Sequence, residues 1–108
     1  MDPRHFFEVE LPNRLALHED VLPDGVVVSF DVAEGGAWQL VAEAGRTRVE
    51  PRDGRPKDCE VRCAPAEFGA LVRSPRSAAR AYLTGAMNIV GDVGLLLRLQ
   101  ALLQRPAA

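Results

Sequence analysis

Two cysteines, Cys59 and Cys63, and two histidines, His5 and His18, are the first side chains of this 108-residue sequence to ask about chemistry. A thiolate can attack a substrate or bind a metal, and imidazole can serve as its base or as a second ligand. Their arrangement argues against both. DCEVRC alternates, so that Cys59, Val61 and Cys63 share one face of a strand and Glu60 and Arg62 the other. Along an extended strand the two cysteine Cα atoms stand about 13 Å apart, too far for a disulfide. The histidines lie in a distant segment with no ligand spacing around them. The pattern predicts two buried, reduced thiols, which suits a reducing compartment.

The other reactive residue types assemble no better. Catalysis of acyl or phosphoryl transfer needs a nucleophile beside a base, paired acids or a metal set. Asp31 and Glu43 point away from the core side of their strands, and Ser29 has no histidine near it in sequence. Gly35, Gly36 and Gly91 are not followed by the lysine and helix of a phosphate loop. The expectation is a protein that is no enzyme, with no catalytic residue, no metal and no cofactor.

Charge narrows the field further. Thirteen basic and fifteen acidic residues give a net charge of -2, spread along the chain, which offers no basic field for nucleic acid. Arg73, Arg76 and Arg80 lie close enough to form a local basic cluster; its first reading is a solvated helix face, its second a contact with anionic lipid heads or acidic partners. No apolar run approaches the roughly 18 residues of a membrane helix. MDPRHFF carries an early acid and lacks the pattern of a signal peptide, so a cytoplasmic address is expected.

The length suits one domain over residues 1–108. Its first part, 1–24, is helical: Pro3 to about Leu11 carries Phe6, Phe7 and Val9 or Leu11 inward, and Pro12 opens a further turn or two holding Leu15 and Leu17, as two short helices or one broken helix. In 25–63 the period falls to two. Val26, Val28, Phe30 and Val32 alternate with Val27, Ser29 and Asp31, then Trp38, Leu40 and Ala42 with Gln39, Val41 and Glu43. AEGG and the short Ala44-Gly45 turn join these to RTRVE as an antiparallel meander. PRDGRPKD is a surface loop before the cysteine strand.

In 64–104 the helical period returns. Pro65 opens one helix with Phe68, Leu71 and Val72 on a stripe; Ser74 and Pro75 open a second, which Gly85 ends. MNIV is a short strand, Gly91 turns the chain, and Asp92 caps a last helix from Val93 to about Gln104. The order predicts an α+β fold with helices layered against one sheet.

That last helix is greasier than one core face requires. At 100° per residue, Leu95, Leu96, Leu99, Leu102 and Leu103 form a stripe of about 120°, while Val93, Leu97 and Ala101 fall outside it. Burial on most sides, a partner subunit, or a cavity holding an apolar guest would each account for the second sector.

From Val26 onward, about four fifths of the chain, the sequence resembles the sterol carrier protein type 2 family. The likeness is carried by Phe30 in the first strand, by AWQLVAE, by DCEVRC running into a helix with Phe68 and Leu71, and above all by AYLTGAMNIVGDVGLLLRLQALL. There Gly85, Met87, Ile89, Gly91 and Asp92 follow the family's order of helix-ending glycine, short strand and Gly-Asp turn. Ala86 stands where many members have a basic residue, and Arg73 and Ser74 where many have a glycine. The helical start with Pro12 also differs from the long single helix associated with the family.

The resemblance implies a five-stranded, mainly antiparallel sheet with helices packed on one face and an apolar tunnel between the layers. Such a tunnel would take a fatty acyl chain, a sterol-like molecule or an isoprenoid. Expected lining residues are Phe30, Trp38 and Leu40 from the sheet, Phe68, Leu71 and Tyr82 from the middle helices, Met87 and Ile89 from the last strand, and Leu96, Leu99 and Leu103 from the last helix. The function the resemblance implies is binding, extending to transfer, of a lipid or other hydrophobic small molecule, with transient membrane contact. The alternative is an accessory module that has lost lipid binding and uses its last helix for self-association or for a partner enzyme of lipid or isoprenoid metabolism; the sequence does not fix the oligomeric state.

Overall fold

In the computed structural model, residues 2–18, 21–73 and 75–104 are described, with the backbone alone at residues 75, 77, 78, 101, 103 and 104. Five strands form one sheet: β1 Val27–Val32, β2 Gly36–Glu43, β3 Arg46–Pro51, β4 Cys59–Cys63 and β5 Met87–Gly91. The spatial order is β3-β2-β1-β4-β5. Every pair is antiparallel except β1 with β4, which run parallel with Phe30 opposite Val61. The expected α+β fold with a mainly antiparallel sheet is therefore observed.

Period-two alternation sets which side chains face the helices. Val28, Phe30 and Val32 of β1, Trp38, Leu40 and Ala42 of β2, and Cys59, Val61 and Cys63 of β4 are all buried in one core. The Ala44-Gly45 turn joins β2 to β3 with both residues at positive φ, 55° and 77°, the twist that a two-residue hairpin loop needs. At the edge, Arg48 of β3 reaches Glu43 at 2.6 Å and Glu50 at 3.1 Å, so the strand presents charge where another sheet would otherwise pair.

The helical start does not break at Pro12. α1, Pro3–His5, runs through a π-helical turn, Phe6–Glu10, into α2, Leu11–Leu17, and the junction residues all keep right-handed helical backbone. Asp2 caps the run by accepting the Arg4 N–H at 3.1 Å. The wide turn lets the Leu11 N–H bond to the Phe6 carbonyl five residues back. A proline ring clashes with the carbonyl four residues before it, and the wide turn immediately ahead of Pro12 gives room at that point without ending the helix. It also brings Phe6, Phe7, Leu11 and Leu15 to one buried face, whereas Val9 and Leu17 are exposed.

Phe7 lies at the centre of the resulting aromatic cluster. Its ring stacks on Trp38 at 4.6 Å and 14°, and sits 5.1 Å from Phe68, 5.3 Å from Phe30 and 5.5 Å from Phe6. The core over β1 and β2 is thus filled by rings from the first helical run.

Two middle helices, α3 Pro65–Arg73 and α4 Pro75–Leu83, and a last helix, α5 Val93–Gln104, complete the layer. The expected cap at Ser74 lies outside the described residues. α5 opens on Asp92, whose Oδ1 accepts the Gly94 N–H at 2.9 Å. Before it, Gly91 has φ +102°, and a Cβ there would come within 2.4 Å of the Asp58 carbonyl oxygen, so no other residue fits that approach. The same carbonyl accepts the Asp92 N–H, and the Asp58 side chain accepts the Val27 N–H at 2.8 Å. The Gly-Asp turn is thereby tied to the first strand. At the far end of α5, Arg14 of α2 donates to the Leu102 carbonyl at 3.2 Å with its guanidinium over the Phe6 ring. Arg98 donates to the Val21 carbonyl at 3.0 Å.

The loop 52–58 is more than a surface excursion. The Asp53 N–H donates to Gln39 Oε1 at 3.2 Å, and Arg52 reaches across to Glu60 of β4 at 2.8 Å. Gln39 and Ser29, which alternation assigns to the solvent side, are both buried, and Gln39 is the one bonded to this loop. Lys57 folds back onto the Asp53 and Arg55 carbonyls with its side chain only 3% exposed. The backbone and side chain of Arg55 hold the Asp53 carboxyl down to about 2.

Both thiols are buried and unpaired by a disulfide. Burial pushes each up to about 11, assisted at Cys59 by Asp92 and Glu60 and at Cys63 by Glu67 and Asp31. The folded chain therefore keeps protons that the unfolded chain releases near pH 9. The stabilisation is complete below about pH 9 and is lost as pH rises toward 11, on the order of 2 kcal/mol per thiol. Urea unfolding at stepped pH should show that decline, and Cys59→Ser/Cys63→Ser should lack it; a profile identical in both proteins would contradict the assignment.

Candidate functional site

The surplus apolar sector of α5 has a specific neighbour. Leu95, Leu96, Leu99 and Leu102 form its buried stripe, as the spacing requires. Leu97 stands 62% exposed, and with Val93 and Leu96 it borders a hollow of about 160 Å³ between α5, α4 and β5. Leu71 of α3, Ala79 and Tyr82 of α4, and Met87 and Ile89 of β5 supply the other apolar walls, and Gln100 lies at its border.

Local sequence accounts for each wall. Strand alternation sends Met87 and Ile89 toward the helices, while Val90 faces away and is exposed. Helical spacing puts Ala79 and Tyr82 three residues apart on the side of α4 next to β5. Val93, Leu96, Leu97 and Gln100 occupy adjoining positions on two turns of α5. The Gln100 amide and the Tyr82 phenol are the lining side chains that offer hydrogen bonds; no lining residue is an acid, base or thiol. This geometry can bind and orient, and among these residues there is no group to activate a nucleophile. Among the described residues no cluster of His, Cys, Asp or Glu could hold a metal ion.

Of the eleven side chains singled out from the sequence, Leu71, Tyr82, Met87, Ile89 and Leu96 are brought together around this hollow. Phe30, Trp38, Leu40, Phe68 and Leu99 are buried elsewhere in the core and do not border it. The Leu103 side chain lies outside those described. Ala79, Val93, Leu97 and Gln100 join the lining without having been singled out. Val93 and Leu97 had a visible signal, the second apolar sector of α5; Ala79 and Gln100 had none.

The size of the hollow limits its guest. About 150 Å³ of dry apolar space holds one benzene-sized molecule, so roughly six carbons fit as it stands. A longer guest needs a wall to move, and the described side chains of α4 are mostly exposed. Among its described side chains only Ala81 is buried, whereas Arg76, Ala79, Arg80, Tyr82 and Leu83 are exposed. Elements with few buried apolar contacts open at the lowest cost.

Residues 17–104 match the SCP-2 sterol transfer family. Among curated proteins, human "Sterol carrier protein 2" is 28% identical over 87 residues, covering 76% of this chain and 16% of that protein. The chain thus corresponds to a small part of that longer relative. Among solved structures, the apo form of Sterol Carrier Protein 2 from Yarrowia lipolytica superposes with a TM-score of 0.69 at 18% identity, covering 92% of this chain and 87% of that one. The palmitated SCP2L2 from Aedes aegypti does so with a TM-score of 0.62 at 17% identity, covering 100% and 99%. Among the described residues no helix is long and apolar enough to cross a membrane.

Proposed function

The chain belongs to the SCP-2 sterol transfer family, and on that premise we propose that it binds and carries one hydrophobic small molecule in the hollow between β5, α4 and α5. The ligand classes proposed are a fatty acyl chain, a sterol-like molecule or an isoprenoid, each of which needs α4 to move before more than about six carbons can enter. The observation that carries this reading is the second apolar sector of α5: Val93 and Leu97 face a hollow that is walled almost entirely by carbon. The palmitated relative supports an acyl chain as a guest.

Burial supplies the affinity. At roughly 0.8 kcal/mol per methylene, six buried carbons contribute about 5 kcal/mol, less the cost of ordering the guest. Displacing α4 would admit more of the chain and raise that figure. Gln100 and Tyr82, as the hydrogen-bonding groups at the border, would orient a carboxylate or hydroxyl. No bond is made or broken, so the role is carriage.

A dansyl-labelled fatty acid tests this directly. Trp38 on β2 lies three strand spacings from β5, about 14 Å, within range for energy transfer to a guest in the hollow. Saturable sensitised emission, reversed by unlabelled palmitate, is expected, together with a co-purified lipid in native mass spectrometry. Neither signal at near-millimolar ligand would sink the carrier reading and leave the accessory-module alternative in its place.

A further inference from the structure

We propose that the outer face of α4 docks the protein onto an anionic lipid surface, with the mouth of the hollow turned toward that surface. This rests on the carrier reading for its purpose but on different residues. A groove of about 410 Å³ runs between α3 and α4, bordered by Arg73, Arg76, Arg80, Glu67 and Thr84 over a floor of alanines. Three guanidinium groups against one carboxylate leave the groove positive in a chain whose net charge is -2. No described residue forms an ion pair with Arg73, Arg76 or Arg80, unlike Arg48, Arg52 and Arg55 elsewhere on the surface. Small alanine side chains leave the guanidinium groups open to a head-group phosphate, which arginine meets with paired N–H donors.

Apolar residues share that face. Arg76, Arg80 and Leu83 follow one another at helical spacings of four and three, so they form one stripe. Leu83 is 82% exposed, the highest value among the large apolar side chains described. Tyr82 beside it borders the hollow, and exposed Leu97 stands on the other side of the same hollow. Leucine and tyrosine flanked by arginine is the composition of a surface that sits at the interface of head groups and acyl chains. α4 therefore has the arginine groove on one flank and the hollow on the other. Docking by the first would present the second to lipid, and the weakly held helix would be the element that feels the contact.

Flotation of the full chain with phosphatidylcholine vesicles, with and without about one third phosphatidylglycerol, tests the proposal. Binding is expected only to the anionic vesicles, and it should weaken as salt is raised. Arg76→Glu/Arg80→Glu should lower it by about tenfold or more, and Leu83→Ser should lower it several-fold, while dansyl-fatty-acid uptake from solution stays at the wild-type level in both. These side chains are exposed, so melting temperatures should match. Equal binding to neutral vesicles, no binding to either, or variants that bind like wild type would overturn the proposal. So would thermal stabilisation by inorganic phosphate without vesicle capture, which would mark a free-anion site. Loss of fatty-acid uptake with vesicle capture intact would overturn the carrier reading alone.

Discussion

Phe7→Ala is expected to cost about 3–5 kcal/mol of stability, the usual range for removing a buried phenyl ring. The ring is fully buried and touches four other aromatic side chains, with Trp38 stacked on it. Domains of this size are stable by only about 5–15 kcal/mol, so the variant should lose a large share of its margin. Calorimetry should show a melting temperature lowered by more than about 12 °C. The Trp38 emission should also shift to the red as its stacking partner disappears. Val9→Ala, on the exposed side of the same turn, should change little. Phe7 lies outside the segment matched by the family. A shift of only a few degrees would mean that the rings over β1 and β2 repack without it.

The second large effect concerns the hollow. Ala79→Trp places an indole at the α4 wall from a position that is itself exposed, so the side chain can enter the hollow without disturbing the core. Displacing about four methylenes of guest removes roughly 3 kcal/mol of burial. Affinity for a dansyl fatty acid should fall about a hundredfold, with the melting temperature unchanged or raised. Phe30→Leu, in the core away from the hollow, should instead lower stability with affinity retained. Unchanged affinity in Ala79→Trp would place the guest somewhere other than this hollow.

Much of the architecture could be read from local pattern. Alternation in VVVSFDV, AWQLVAE and DCEVRC marked the inward side chains because a pleated strand sends neighbours to opposite faces whatever it packs against. Ala44-Gly45 and Gly91-Asp92 declared their turns, since positive φ and helix capping are demands on single residues. The faces of α5 could be separated on a wheel, and a second apolar sector could be seen there. The resemblance carried by Gly85, Met87, Ile89, Gly91 and Asp92 extended this to the family.

Other features arise between segments far apart in sequence. The wide turn before Pro12 keeps a helix going where the proline suggested a break, and packing of Phe6 and Phe7 together rewards it. Gln39 and Ser29 sit at outward positions yet are buried, and the loop 52–58 reaches back over the sheet through Asp53 to Gln39 and Arg52 to Glu60. The parallel pairing of β1 with β4 is a long-range choice that no local period records. What the sequence alone determined is which strand side chains face the helix layer, since that depends on each residue's own character and its place in a repeat. Whether such a side chain ends in solid core or at the wall of a hollow was decided only in three dimensions. Phe30 and Ile89 face the same side of one sheet, yet the ring of Phe7 packs on the first, while the second borders the hollow.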